Sequence, residues 1–279
     1  MVKKRNPLIL LTLLMLWVGS VEAAIQDDIF SKMVEENDAQ GIQRAIEDGY
    51  DVNRIIVYDR FQYQPLAIAV HRGQLEVVRV LLESGADPNS IGMTGSNALF
   101  LSMSTTLATE SKRNENAIKI FKMLLSHGAN PNCFDQFGIT PLGAATVSVN
   151  SDKMSLYLIQ KLLEAGADVN LRKEGDITPL CSAIYAGYEK STLSAERSQI
   201  ISLLLSAGAD PNVQDEDGAT SLHVAVFSLP IVEILVDAGA NPEIGDKNGL
   251  TALDWAKGLG PMYEANKDVQ SFLQNSEKK

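Results

Sequence analysis

Apolar residues recur along this chain at the three- and four-residue spacing of helices that bury one face. Val77, Val78, Val80, Leu81 and Leu82 form one such stripe, and Ile118, Ile120, Phe121, Leu124 and Leu125 form another, so each predicts a helix. The stripes end at a glycine inside a recurring string. Gly85 to Asn89 reads Gly-Ala-Asp-Pro-Asn, copies stand at Gly128 to Asn132, Gly166 to Asn170, Gly208 to Asn212 and Gly239 to Pro242, and a divergent Gly49 to Asn53 precedes them. Glycine takes the left-handed backbone conformation without strain, so each of these positions predicts a helix stop. The glycines are 36, 43, 38, 42 and 31 residues apart, a period of tens of residues that marks a repeat architecture.

A second signal follows several of these glycines after eleven intervening residues. It reads Thr140-Pro141-Leu142 and Thr178-Pro179-Leu180, with weaker copies at Gln64-Pro65-Leu66, Thr220-Ser221-Leu222 and Thr251-Ala252-Leu253. Threonine caps a helix by accepting a backbone hydrogen bond, and proline suits the first helical position, where no amide donor is required. Polar turns such as Asp135-Gln136-Phe137-Gly138 and Asp215-Glu216-Asp217-Gly218 lie between stop and start. The predicted unit is turn, helix, helix, stop.

These residues carry a resemblance to the ankyrin-repeat family, which combines a Thr-Pro-Leu-His-like helix start, a Gly-Ala-Asp-Val-Asn-like helix end and a hairpin finger between units. The resemblance covers roughly Asn37 to Leu273. It implies an all-α solenoid of about six to seven helix-pair repeats with β-hairpin fingers. The repeats are expected near 27–53, 54–89, 90–132, 133–170, 171–212, 213–243 and 244–275, within a single domain spanning 24–279. The histidine of the start motif survives only at His223, and three consecutive units exceed the usual length of about 33 residues. Their surplus falls at Ser104 to Asn116, Val147 to Lys153 and Tyr188 to Arg197, between paired helices, and reads either as a second, polar candidate binding surface on another edge or as tolerated loop growth. Asp27 to Glu47, through Ile29, Phe30 and Met33, is expected to cover one end of the stack, and Lys247 to Leu273 the other.

The start of the chain adds a destination. Lys3, Lys4 and Arg5 precede an apolar run from Leu8 to Val18, and Val21-Glu22-Ala23 supplies small residues for cleavage, so residues 1–23 read as a signal peptide. The run is shorter than the roughly 20 residues of a membrane span. Export, with the periplasm preferred and secretion as the alternative, is the expectation. No Asn-x-Ser/Thr site occurs in the chain, which leans towards a bacterial compartment. The net charge is −11. Cleavage would remove three basic residues and one acidic residue and make it more negative still, which excludes a general nucleic-acid binder and suits a partner with a basic face. Two cysteines, Cys133 and Cys181, are too few for a disulfide scaffold, and a bridge between them is left open.

Catalytic motifs are absent from the chain: there is no phosphate-cradling glycine loop, His-Glu-x-x-His pair or Gly-x-Ser-x-Gly elbow. His71, His127 and His223 lie in different repeats, so no metal, cofactor or catalytic residue is expected. His223 reads as a structural hydrogen-bonding residue, and His127 suits the negative end of a helix dipole.

What remains is binding. The resemblance assigns it to a concave surface of finger tips and first helices, and carried over position by position it marks Tyr58, Arg60, Phe61, Tyr63, His71 and Arg72 in the first full unit. Met93 follows, then Gln136, Phe137 and Ile139, then Arg172, Glu174 and Ile177, with Tyr185 and Phe227 on helix positions. Aromatic residues and arginine dominate binding hot spots; packing between units is the open alternative for Phe61, Phe137 or Phe227 taken singly, but the apolar turn around 58–63 stands out. The expected function is therefore an exported, monomeric protein-binding module that sequesters or scaffolds a partner, with an immunity protein against a toxic enzyme as the concrete version. The resemblance leaves two alternatives open. One is a periplasmic oxidative-stress accessory associated with catalase, in which His71 or Met93 would have to ligate any haem, and the other is a secreted effector that binds a host protein.

Overall fold

The structure, a computed structural model, describes residues 25–58, 61–90, 97–108, 112–147, 151–173, 175–188, 194–258 and 265–276. The expected leader 1–23, the candidate contacts Arg60, Met93 and Glu174, and the side chain of Phe61 lie outside the described residues.

Fourteen helices are described, paired in successive repeats, with one two-stranded hairpin. The chain forms two compact units, one reaching to Ala129 and the other running from Asn130, with residues 106–110 grouped with the latter. The first holds α1 (25–36), α2 (Ala39–Glu47), the hairpin β1 (Ile56–Tyr58) and β2 (Phe61–Tyr63), α3 (Pro65–Arg72), α4 (Leu75–Glu83), most of α5 (Ala98–Ala108), and α6 (Lys112–Ser126). The second holds α7 (Pro141–Thr146), α8 (Asp152–Glu164), α9 (Pro179–Tyr188), α10 (Ala195–Ser206), α11 (Ser221–Val224), α12 (Leu229–Asp237), α13 (Ala252–Gly258) and α14 (Ala265–Ser276).

From α3 onwards each pair joins a shorter first helix to a longer second helix. Pro65, Leu66, Ala67, Ile68, Ala69 and Val70 of α3 are all buried, whereas α4 buries Val77, Val78, Leu81 and Leu82 and exposes Glu76 and Arg79. Helix α4 packs between α2 and α6, and burial of these aliphatic side chains, at about 1.5–3 kcal/mol each, drives the stacking. The second unit repeats the scheme, with Leu142, Leu158, Leu180, Ile184, Ile200, Leu204 and Leu222 in its core. The glycines that close the second helices, from Gly49 to Gly239, have φ between 86° and 98°, as the sequence predicts from their need for left-handed backbone. Thr140 caps α7 by accepting from Gly143 N at 3.0 Å.

Two expectations change. At the start, Phe30 and Val34 supply the buried face of α1 and the Phe30 ring stacks on Tyr50 at 4.0 Å, whereas Ile29 is exposed. One residue is about 100° of helical rotation, which turns Ile29 away from the stripe that Phe30 and Val34 share. The surplus residues are also not simple loop growth. In the first long repeat they extend helices: α5 has 11 residues and α6 has 15, beginning at Lys112 inside the stretch read as loop. Lys, Arg, Glu and Ala at 112–117 are strong helix formers.

In the next two long repeats the surplus residues grip each other. Arg197, at the start of α10, is 1% exposed and donates to the Thr146 carbonyl at 2.6 Å and to the carboxylate of Asp152 at the start of α8. The Ser194 hydroxyl donates to the other Asp152 oxygen at 2.6 Å. A guanidinium and a carboxylate taken this far from water persist only as a hydrogen-bonded pair. The pair therefore fixes how α8 meets α10, which pack directly on each other.

Candidate functional site

The hairpin in the first unit alternates its side chains as a strand must. Ile56 points inward and is buried, while Ile55 and Val57 on either side are exposed. The strands pair Ile56 with Tyr63, Val57 with Gln62 and Tyr58 with Phe61, and Ser31 Oγ donates to the Val57 carbonyl at 3.1 Å, tying the hairpin to α1. This register brings the Tyr58 hydroxyl to Arg72 at the end of α3, where a guanidinium nitrogen donates to it at 2.7 Å. A second nitrogen of Arg72 donates to the Glu35 carbonyl at 3.2 Å.

Tyr58, His71 and Arg72 thus meet at one cleft of about 800 Å³, whose other walls include Glu35, Asn37, Gln74, Glu76 and Asn116. His71 and Arg72 are exposed, and Tyr63 is half-buried. Gln74 is a wall residue that sequence reading missed. It is buried, and its amide donates to the Val34 carbonyl at 2.7 Å, which locks the α3–α4 turn onto α1. A glutamine next to the glycine of a tight turn looks like any solvated polar residue in the sequence.

In the second unit the fingers are compact turns folded around an aspartate. The Asp135 carboxylate accepts from Phe137 N at 2.9 Å and Ile139 N at 2.8 Å, and Asp215 does the same for Asp217 N and Ala219 N at 2.9 Å each. With the aspartate turned inward, the next residues face solvent. Phe137 is 74% exposed, and Ile139 and Gln136 beside it are exposed as well. Ile177 on the following finger, Tyr185 on α9 and Val147 at the end of α7 are exposed too. Phe137, Ile139, Val147, Arg172, Asp176, Ile177 and Ser182 line a single cleft of about 200 Å³. Val147, Asp176 and Ser182 are additions to the expected set, and the one visible signal for Val147 was an aliphatic residue opening a largely polar insertion.

Arg172 in that cleft is held rather than loose. Its guanidinium donates to the carbonyls of Asp176 and Gln214, the latter at 3.1 Å, and so ties its own finger to the next. The fingers also touch through backbone: Glu216 N donates to Gly175 O and Lys247 N to Asp217 O, both at 3.0 Å. Gly218 is where this closeness requires glycine, because its φ is 81° and a Cβ there would lie 2.7 Å from Lys247 N. Glu216 and Asp217 are exposed at the tip of the acidic finger. Burial, and then the negative charge of Asp215, hold the Tyr185 hydroxyl above its ordinary range, with Cys181 and Asp217 adding to the effect. Phe227, just after α11, is half-buried.

The remaining chemistry is structural. His223 receives Thr220 N on Nδ1 at 3.1 Å and pairs its Nε2 with the Leu250 carbonyl of the next finger at 3.0 Å. The Nε2 proton is therefore donated to Leu250 and Nδ1 accepts. His127 Nδ1 lies 2.8 Å from the Met123 carbonyl at the end of α6. Cys133 and Cys181 are not joined in a disulfide. The Cys181 sulfur lies 3.2 Å from Ser221 Oγ, and burial pushes its thiol pKa up. Among the described residues, no group of three His, Cys, Asp or Glu side chains is placed to hold a metal ion, and no helix is long and apolar enough to cross a membrane.

Residues 191–267 match the family "Ankyrin repeats (3 copies)", and residues 62–92 match "Ankyrin repeat". A putative ankyrin repeat protein of Fowlpox virus is 32% identical over 168 residues, which cover 58% of this chain and 42% of that protein. Cyclin-dependent kinase 4 inhibitor B of Rattus norvegicus is 39% identical over 75 residues, covering 27% of this chain and 49% of the relative. The chain thus spans less than half the length of either. An ankyrin repeat domain from Acinetobacter baumannii AYE superposes with a TM-score of 0.60 at 24% identity, covering 76% of this chain and 97% of that one.

Proposed function

Starting from the fact that this chain is an ankyrin-repeat protein, we propose that it is an exported, non-catalytic module that holds a partner protein on the face formed by its fingers and first helices. Ankyrin repeats are protein-binding modules. The observation that carries the reading to this surface is the exposure of Phe137, Ile139, Val147, Ile177 and Tyr185 on consecutive repeats of the second unit. Large apolar side chains exposed on neighbouring repeats cost solubility unless something covers them, and aromatic anchors of this kind supply most of the energy of an interface. Export rests on the leader-like residues 1–23. The role that best suits these properties is inhibition, in which the module occludes a toxic enzyme as an immunity protein does. One relative is, by its name, an inhibitor of a kinase.

The test is a pull-down from periplasmic extract with the wild type and with a Phe137→Ser, Tyr185→Ala double variant whose circular dichroism is unchanged. Enrichment of one stoichiometric protein by the wild type alone, with its activity lowered in the complex, supports the reading. Equal capture by both proteins places binding elsewhere, and undiminished activity of a saturated partner removes the inhibitory role.

A further inference from the structure

The proposed binding face in the second unit changes character along its length, and the change specifies what it can accept. At one end the cleft is walled mainly by apolar groups, Phe137, Ile139, Val147 and Ile177 among them, with Arg172, Asp176 and Ser182 as part of its polar lining. One finger later the surface is anionic, because Glu216 and Asp217 are exposed at the tip and Asp215 has its carboxylate occupied by the backbone of its own turn. The two regions are continuous. The Glu216 amide bonds directly to Gly175 on the finger that carries Ile177, and Tyr185, exposed between them, is close enough for the charges of Asp215 and Asp217 to act on its hydroxyl. The two cations on the finger that carries Ile177 are engaged elsewhere. Arg172 donates to two backbone carbonyls, and the Lys173 ammonium sits 5.8 Å from the centre of the Phe134 ring, one finger back.

Building on the binding reading above, we infer that this surface recognises a peptide segment of a partner in which a bulky apolar side chain stands within a few residues of a lysine or arginine. The apolar group fills the cleft between Phe137 and Ile177, and the cation lies over Tyr185 against Glu216 and Asp217. Each part alone would be unselective. An apolar cleft accepts many side chains, and an exposed acidic tip holds cations weakly in water. Joined at a fixed spacing they select for register and orientation, the apolar contact supplying affinity and the charges supplying specificity and rate of encounter. The cation also gains the face and hydroxyl of Tyr185, a contact that strengthens as water is excluded.

The probe is a random linear peptide library displayed on phage and panned on the immobilised full chain at low ionic strength. Recovered clones are screened against Phe137→Ser, Ile177→Ser and against Glu216→Lys, Asp217→Lys, both pairs lying at exposed positions where the fold tolerates a polar side chain. The expected result is a set of peptides that lose binding on the first variant and share an apolar residue followed or preceded within about four positions by Lys or Arg. Synthetic versions should bind the charge-reversed variant about tenfold more weakly, and binding to the wild type should weaken as salt rises. Peptides that need Phe137 and Ile177 yet carry no basic residue, and that bind the charge-reversed variant as well as the wild type, overturn the inference and leave the binding surface standing. Recovery of no peptide that depends on Phe137 and Ile177 overturns both.

Discussion

Asn170, at the end of one repeat, is bonded twice to the end of the next: its Oδ1 accepts from Asp210 N and its Nδ2 donates to Gly208 O, each at 2.9 Å. The same pattern joins Asn53 to Asp87 and Gly85, Asn132 to Asp168 and Gly166, and Asn212 to Asn241 and Gly239. The asparagine that closes the recurring sequence string is thus the side chain that holds successive helix ends in register. These bonds are exposed to water, and an exposed hydrogen bond contributes about 0.5–1.5 kcal/mol net. Asn170→Ala should therefore lower the stability of the second unit by about 1–2 kcal/mol. Asn170→Asp, which keeps the acceptor and loses the donor, should fall between. Urea unfolding followed by circular dichroism measures both, and an alanine variant as stable as the wild type would show that water replaces the bridge without loss.

The Arg197–Asp152 pair makes a larger and more discriminating prediction. Removing one member of a buried ion pair strands the other, at a cost of about 3–5 kcal/mol. Arg197→Met should be destabilised by that amount, whereas Arg197→Met, Asp152→Leu should recover most of the loss, because an apolar pair of similar volume leaves no stranded charge. Equal destabilisation of the single and double variants would mean that the pair is needed for something other than charge balance.

How much of this could be read in the chain depends on how far apart the interacting residues lie. The helix stops at Gly85 or Gly208 and the cap at Thr140 are consequences of a few neighbouring residues, so sequence alone displays them. The Asp152–Arg197 contact spans 45 residues and links two stretches that each look like solvated polar insertions, so neither partner announces the other. Ile56 shows the same limit at short range. It sits in an apolar triplet whose strand alternation decides that Ile56 is core while Ile55 and Val57 are surface, and only the hairpin register reveals which. The exposure of Phe137, Ile139 and Tyr185 was legible because finger and first-helix positions recur with the repeat. That of Val147 was not, because it lies where the repeat is interrupted.

Acid should loosen the last finger. Asp246 accepts from Leu250 N at 3.0 Å, Asn248 N at 2.8 Å and the Trp255 indole at 3.0 Å, and these bonds, the Leu250 amide first, hold its carboxyl below the ordinary aspartate range. The unfolded chain therefore binds a proton at Asp246 before the folded chain does. The stability this group contributes is complete above the ordinary value near 3.9 and is lost as pH falls through the lower folded-state value. Trp255 emission should stay native-like at pH values just below 4 and change only at lower pH, whereas Asp246→Asn should lose the sharp acid step. A wild-type transition above the ordinary aspartate range would contradict this assignment.

The two cysteines should differ in reactivity. Thiolate is the reacting form, and burial raises the Cys181 thiol pKa while closing access to it. Cys133 is only half-buried. A disulfide reagent should label Cys133 in the native protein and reach Cys181 only on unfolding, with Cys133→Ser leaving a native protein that does not label. Rapid labelling of that variant would show that the α9–α11 contact opens under native conditions.

The central claim, that a partner protein is held on the finger-and-first-helix face of the second unit, is tested most directly by site-specific photocrosslinking in the native compartment. A photoreactive benzoylphenylalanine is placed at Phe137, and in a control at Glu164, an exposed residue of the second helix in the same repeat. The account predicts a single discrete crosslinked protein from position 137 and none from position 164. The same product from both positions, or a product from position 164 alone, would contradict it.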